Sequence, residues 1–414
     1  MHFEEIMWKP SNWLDSALLL RKVRSEKLII SPNIILLSKN IQLKNEEIIL
    51  GDYRIIPMKR HSGENLLKIK VNRSYDESDD TNWYKITSKY GTNVGLALSL
   101  IISFVMRSFA ISYNGKVWPF LDDDREYKTL TGPCYLWVNC FGKMCLLNNF
   151  GGIPLGFDIH DNELMYHINE VYNILMEINE EEYLSIMGAL HLYWLAYYVY
   201  LVNNSLSYSF LVASIEAISD PIYKLKYKEK FIKFIKENMP DDFFETYYSR
   251  AEIYGMDMEK HLSNVIERAN KKEKPELEMK LKNYKRDRKV RQRMIKENEN
   301  FQWKMEYLLK YFEKVLSNIY DARSKVFHSG RDLLSFIFKE DMFDWMPDIF
   351  EADYNEFMED HLEHKFKYDV TPSGKIKRIC SCGDRREIKF LLGIRLFETL
   401  VHKSILNYIL KLEK

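Results

Sequence analysis

The chain has 414 residues, enough for two or three domains and a large core. Its 46% hydrophobic and 14% aromatic content excludes wholesale disorder, and 16 glycines with 11 prolines are too few for a loop-rich or repetitive all-β chain. Basic and acidic residues balance at 60 each but are unevenly placed: "KNYKRDRKVRQRMIK" (282–296) carries eight Lys or Arg and one Asp, while 340–363 carries ten acids and no Lys or Arg. That asymmetry keeps nucleic acid open as a partner despite the neutral total, although either run alone also reads as a solvated helical face.

Along the chain, "MHFEEIMWKP" has no apolar core and does not read as a secretory signal. Residues 28–75 hold β-branched runs punctuated by Pro32, Gly51 and Gly63, which predict strands. The longest apolar stretch, 94–111, is broken by Ser99, Ser103, Arg107 and Ser108, so it reads as a buried helix, and no membrane partner is expected. "CYLWVNCFGKMCLLNNF" (134–150) predicts a hairpin with Gly142 in its turn. Five cysteines, an odd number in a chain this long, suit a reduced cytoplasmic protein better than a disulfide framework.

"FGGIPLGF" (150–157) packs three glycines and a proline into eight residues and marks the expected boundary. The fold expected is therefore mixed. A β-rich α+β domain over 1–155, with a sensing or regulatory role, precedes an all-α bundle of about five helices over 156–414. Residues 181–203 are apolar around most of the circumference, as a central core helix should be, and 205–220 ends at Pro221. Long amphipathic helices are expected over 301–328, stopped by Ser329 and Gly330, and over 386–414.

Three Arg residues precede a His by four to six intervening positions: Arg54…His61, Arg323…His328 and Arg395…His402. Roughly one or two such matches arise by chance, so spacing alone selects none of them. Context favours "YDARSKVFHSG" (320–330), at the end of a long amphipathic helix whose dipole favours a protonated imidazole. Five helical steps separate Arg323 and His328 by about 140° around the axis. They do not meet as a simple helix pair, and would converge on a substrate or meet equivalent groups from a second subunit.

The stretch "LSNIYDARSKVFHSG" resembles the signature of HEPN-domain proteins, and within them the Apea-like branch, through Tyr320, Arg323, Ser324, Lys325, His328 and Gly330. The resemblance covers roughly residues 165–414 and includes an upstream helix, "FLVASIEAISD", with Glu216 in an apolar frame. It implies a HEPN-like helical bundle and a metal-independent endoribonuclease acting as a homodimer with the two Arg–His motifs facing each other. It further implies a setting in prokaryotic anti-phage defence, where RNA cleavage arrests growth, and a phage-derived trigger or regulatory partner.

In that reading His328 exchanges the proton, Arg323 holds the scissile phosphate and Ser324 positions phosphate or His. Glu216 orients Arg323 or is a buried carboxylate with a structural partner. No cofactor is required, because RNA supplies its own 2′-hydroxyl nucleophile. Lys325 and the basic run (Lys285, Arg286, Arg288, Lys289, Arg291 and Arg293) are candidate contacts to the RNA backbone. Two other classes stay open: an inactive RNA- or nucleotide-binding dimerisation module, and a toxin controlled by a protein partner.

His361, His364, Cys380 and Cys382 are a candidate structural zinc set. Their Cys-x-Cys and His-x-x-His spacings are tighter than usual, so reduced thiols are the competing reading. No phosphate-binding glycine loop, serine nucleophile elbow or His-Glu-x-x-His motif is present.

Overall fold

The computed structural model describes residues 13–26, 35–37, 48–50, 53–59, 65–71, 94–105, 107, 110–112, 137–140, 143–146, 162–199, 204–244, 263, 266, 274–275, 278–279, 281–282, 306–329, 349–351, 366–381 and 385–413. These residues are mostly helical, with small antiparallel sheets. The chain divides into two compact units: Met1–Asn238 with Val401–Lys414, and Met239–Leu400. The glycine-rich segment expected to separate two domains at 155/156 lies outside the described residues.

The first unit opens with α1 (Trp13–Glu26). Strands β1 (Ile35–Leu37), β2 (Ile48–Leu50), β3 (Tyr53–Lys59), β4 (Asn65–Val71) and β5 (Ala110–Ser112) form one antiparallel sheet in the order β2-β3-β4-β1-β5. Pro57 is tolerated inside β3 because β2 covers only its first half, from Tyr53 to Ile55. At Pro57 the ladder continues on one side only, opposite Leu67, so the missing N–H removes no described cross-strand bond. Strands β6 (Trp137–Cys140) and β7 (Lys143–Leu146) pair from Cys140 opposite Lys143, the hairpin expected around Gly142.

Helix α2 (Val94–Val105) is buried at all twelve positions, Ser99 and Ser103 included, as its otherwise apolar pattern requires. Ser99 Oγ donates to the Leu96 carbonyl within the helix at 2.7 Å, and the Ala97 amide donates across to Ser16 Oγ of α1 at 2.9 Å. Beyond it Arg107 takes φ +48, with its amide on the Phe104 carbonyl at 3.2 Å. Among the described residues no helix is long and apolar enough to cross a membrane.

Then follow α3 (Asn162–Glu177), α4 (Glu180–Val199), α5 (Asn204–Ile222) and α6 (Tyr227–Asn238). Helix α2 packs on α1, α3 and α4, so helices on both sides of the glycine-rich segment share this unit. Asn179 caps α4 reciprocally with Glu182: the Glu182 amide donates to Asn179 Oδ1 at 2.9 Å, and Asn179 Nδ2 donates to Glu182 Oε2 at 3.1 Å. Buried side chains surround α4, including Tyr183, Met187, Leu190, Tyr193 and Trp194, as expected of a central helix. Trp13 of α1 comes so close that a Cβ on Gly188 would lie 3.3 Å from its ring.

Helices α4 and α5 pack along their lengths and are tied by two hydroxyls: Ser185 donates to the Ala217 carbonyl and Ser207 to the Ala196 carbonyl, both at 2.7 Å. The first tie has a local cause. Pro221 lies one turn beyond Ala217 and has no N–H to give its carbonyl, and the Ser185 hydroxyl takes that place.

The second unit contains a helical stretch over 306–310, a turn at Tyr311 and α7 (Phe312–Ser329). It continues with β8 (Ile349–Glu351), β9 (Phe366–Val370), β10 (Ile376–Cys380), β11 (Arg385–Ile388) and β12 (Phe390–Leu392). Strands β9, β10 and β11 form an antiparallel meander and β12 pairs with β8. These strands overturn two expectations: the C-terminal part is not all-helical, and 386–392 is not the start of the last helix. Arg386 and Ile388 pair with Arg378 and Ile376 of β10, and Phe390, Leu391 and Leu392 are all buried in β12. The last helix, α8, begins beyond Gly393 and runs Ile394–Lys411. The expected 301–328 helix is described from 306 with a turn at Tyr311, through which its amide still donates to the Tyr307 carbonyl at 2.8 Å and the Val315 amide to the Tyr311 carbonyl at 3.1 Å.

Candidate functional site

Arg323 and His328 both lie on α7. The helix forms because Val315, Leu316, Ile319 and Ala322 make an apolar stripe at helical spacing, all buried, and α7 packs this stripe's side of the unit against β12. Asn318, buried beside the stripe, donates from Nδ2 to the Phe390 carbonyl of β12 at 3.3 Å. Asp321 faces Lys389 at 3.8 Å, with both side chains about 40% exposed, so this pair contributes little.

The buried stripe leaves Tyr320, Asp321, Arg323 and Ser324 half-buried beside it. The Arg323 guanidinium sits 5.9 Å from the centroid of the Tyr320 ring, one turn earlier. Helix α7 ends at Ser329, immediately before Gly330, which places His328 in its last turn. At that end the helix dipole favours a cation. The side chains of Lys325 and His328 lie outside the described residues. Ideal helix geometry puts the two backbone positions about 7.5 Å apart along the axis and about 140° apart around it.

The competing Arg–His matches have different surroundings. His402, on α8, is completely buried against the rings of Phe104 and Tyr193, with centroids 4.8 and 6.3 Å away. Burial, reinforced by the Arg107 and Lys403 charges, holds its imidazole well below the ordinary histidine range. A group so enclosed is core, without access to a macromolecular substrate. Arg54 is in β3 opposite Lys70, and His61 lies outside the described residues.

Glu216 is half-buried on α5, in the first unit, whereas Arg323 and His328 belong to the second. Lys285, Arg286, Arg288, Lys289, Arg291 and Arg293 lie outside the described residues, as do His361, His364 and Cys382. Cys380 ends β10, with its side chain outside the description. Among the described residues no group of three or more His, Cys, Asp or Glu could hold a metal ion.

The surroundings of α7 carry features that motif reading passed over. Tyr307, one turn before Tyr311, donates its hydroxyl to the Gly374 carbonyl at 2.6 Å and meets Phe390 edge-on. Its burial, with Tyr311 beside it, pushes the phenol up to about 12. The sequence signal for these contacts was slight, since Gly374 and Phe390 are remote from α7 in the chain. Tyr320 beside Arg323 was available from spacing, because residues three apart share a helix face. No family model matches the chain, and neither a curated protein nor a solved structure matches it.

Proposed function

We propose that this protein is a metal-independent endoribonuclease of HEPN type, acting as a homodimer whose site is built on Arg323 and His328. The observation that carries the reading is their placement on one helix that ends at Ser329, with Arg323 half-buried beside Tyr320 and His328 at the dipole's cation-favouring end. The N-terminal region then senses or regulates, and RNA cleavage serves growth arrest in anti-phage defence.

The chemistry requires no external nucleophile. The RNA 2′-oxygen attacks the adjacent phosphorus as its proton passes to a base; the 5′-oxygen leaves and takes a proton from an acid. The products are a 2′,3′-cyclic phosphate and a 5′-hydroxyl. His328 exchanges these protons, a role worth on the order of 10²–10⁴-fold in rate. Arg323 neutralises the phosphate charge through its planar, bidentate guanidinium. Ser324 positions the phosphate or the imidazole, and Lys325 with the basic run over 282–296 engages the flanking backbone.

The test is incubation of the full chain with RNA in EDTA, beside Arg323→Ala and His328→Ala. We expect cyclic-phosphate ends from the parent and a loss of about 100-fold or more in each variant. Mixing the two variants should restore part of the activity if each site takes Arg323 from one copy and His328 from the other. Equal cleavage by parent and both variants removes the site assignment. RNA binding without cleavage by any of the three points instead to a dimeric binding module.

A further inference from the structure

Among the described residues, six large apolar side chains are exposed, and three of them (Ile222, Leu225 and Tyr227) fall within six consecutive positions. They sit at the corner where α5 passes into α6. Every residue from Asp220 to Tyr227 is exposed there except Tyr223. The apolar positions alternate with Lys224 and Lys226, both exposed and engaged in no described ion pair, and Lys228 follows half-buried at the start of α6. Single exposed leucines are ordinary, but an exposed cluster interleaved with lysines is a surface of definite chemistry.

The corner is braced from beneath. Lys230 of α6 reaches back to α5, donating to the Asp220 carboxylate at 2.5 Å and to its carbonyl at 3.1 Å. Tyr223 donates its hydroxyl to Glu237 at 2.5 Å, and Lys233 lies 4.7 Å from the Tyr223 ring centroid. Phe231, Phe234 and Ile235 fill the buried side of α6. Ile222 thus closes α5, Tyr227 opens α6 and Leu225 lies in the link between them, all three exposed above this bracing.

We propose that the α5–α6 corner is a membrane-surface contact that seats on an anionic phospholipid bilayer. Ile222 and Leu225 enter the headgroup boundary, Tyr227 lies at the interface as tyrosines do, and Lys224 and Lys226 engage the lipid charge. A nucleic acid would engage the lysines and the Tyr227 ring but would leave both aliphatic side chains in water. A second copy docking corner to corner would set two net-basic segments against each other, since Asp220 and Glu229 are outnumbered by Lys224, Lys226, Lys228 and Lys230. The inference departs from the expectation of no membrane partner, concerns peripheral contact only, and is independent of the ribonuclease reading.

Vesicle co-sedimentation of the full chain tests it, with phosphatidylcholine alone and mixed with phosphatidylserine. The parent should pellet with the mixed vesicles and much less with the neutral ones. Lys224→Ala/Lys226→Ala should lower the partition by roughly thirtyfold, given the usual attraction of each lysine near an anionic surface. Ile222→Ser/Leu225→Ser should lower it without weakening the salt dependence. Lys310→Ala/Lys314→Ala, an equal charge loss elsewhere, should leave it unchanged. Circular dichroism and urea midpoints on each variant separate lost binding from lost fold, and the lysine pair decides the matter if the apolar pair unfolds. The proposal is overturned if the parent ignores the mixed vesicles, or if the control pair loses as much as the corner pair. It is equally overturned if the corner substitutions weaken only the binding of labelled single-stranded RNA.

Discussion

At Gly374 the backbone sits at φ +73, where a side chain is strained whatever space surrounds it. Here space is also absent: a Cβ would lie 2.7 Å from Cδ1 of Tyr311. Gly374 closes the β9–β10 turn, in which its amide donates to the Thr371 carbonyl and the Lys375 amide donates to Thr371 Oγ1. Gly374→Ala should therefore cost about 1–3 kcal/mol, part from the left-handed backbone and part from displacing the Tyr311 ring. Urea unfolding of Gly374→Ala with and without Tyr311→Ala separates the two, since only the steric part disappears with the ring. An unchanged cost in both backgrounds would show that the ring contact is unimportant. At this same scale, the sequence made Arg323 and His328 stand out as candidates through their residue types and their place at a helix end. It could not pair Tyr307 with Gly374, which depends on folding across a separation of 67 positions.

Between α4 and α5 the energetics rest on backbone accounting. Pro221 withholds an amide from the Ala217 carbonyl, and the Ser185 hydroxyl makes up the loss across the helix pair. Ser185→Ala should destabilise by about 1 kcal/mol, because it strands a carbonyl away from its donor. Pro221→Ala supplies a new N–H to that carbonyl, so in its presence the cost of Ser185→Ala should shrink, giving a coupling of roughly 0.5–1 kcal/mol in a double-mutant cycle. Strictly additive effects would remove this explanation. Local patterns announced these helices well: α4 is apolar around most of its circumference and α5 ends one residue beyond its proline. They failed at β11 and β12, since "IKFLL" before a helical run gives no local sign of pairing with β8 and β10. Strand pairing there is a non-local choice, and burial of three successive residues erased the alternation that identifies a half-buried strand.

Two enclosed histidines give the whole molecule a pH signature. His191 stacks on Trp13, with centroids 5.3 Å apart and planes 18° from parallel, and burial lowers its pKa to about 4. Burial also holds His402 well below its ordinary range. The unfolded chain thus binds protons, beginning near pH 6.5, that the folded chain refuses. Stability conferred by neutral imidazoles is present above that pH and is lost as pH falls toward 4. His191 alone should account for about 2 kcal/mol between pH 7 and pH 5. Urea midpoints measured across that range should fall with pH, and His191→Phe, which keeps an aromatic ring on Trp13, should flatten the decline. A slope unchanged by that substitution would exclude His191 as its source.

The two hydroxyl ties of the α4–α5 pair also have a mechanical meaning. Ser185 meets Ala217 near one end of the pair and Ser207 meets Ala196 near the other, so they act as pins through two rods. Sliding one rod past the other by a helical turn, about 5.4 Å, would pull both pins at once. Such a pair resists shear while leaving each helix free to tilt as a unit with its partner. The α5–α6 corner follows the end of α5 that the Ser185 tie holds, so a load applied there passes into α4 first through that tie.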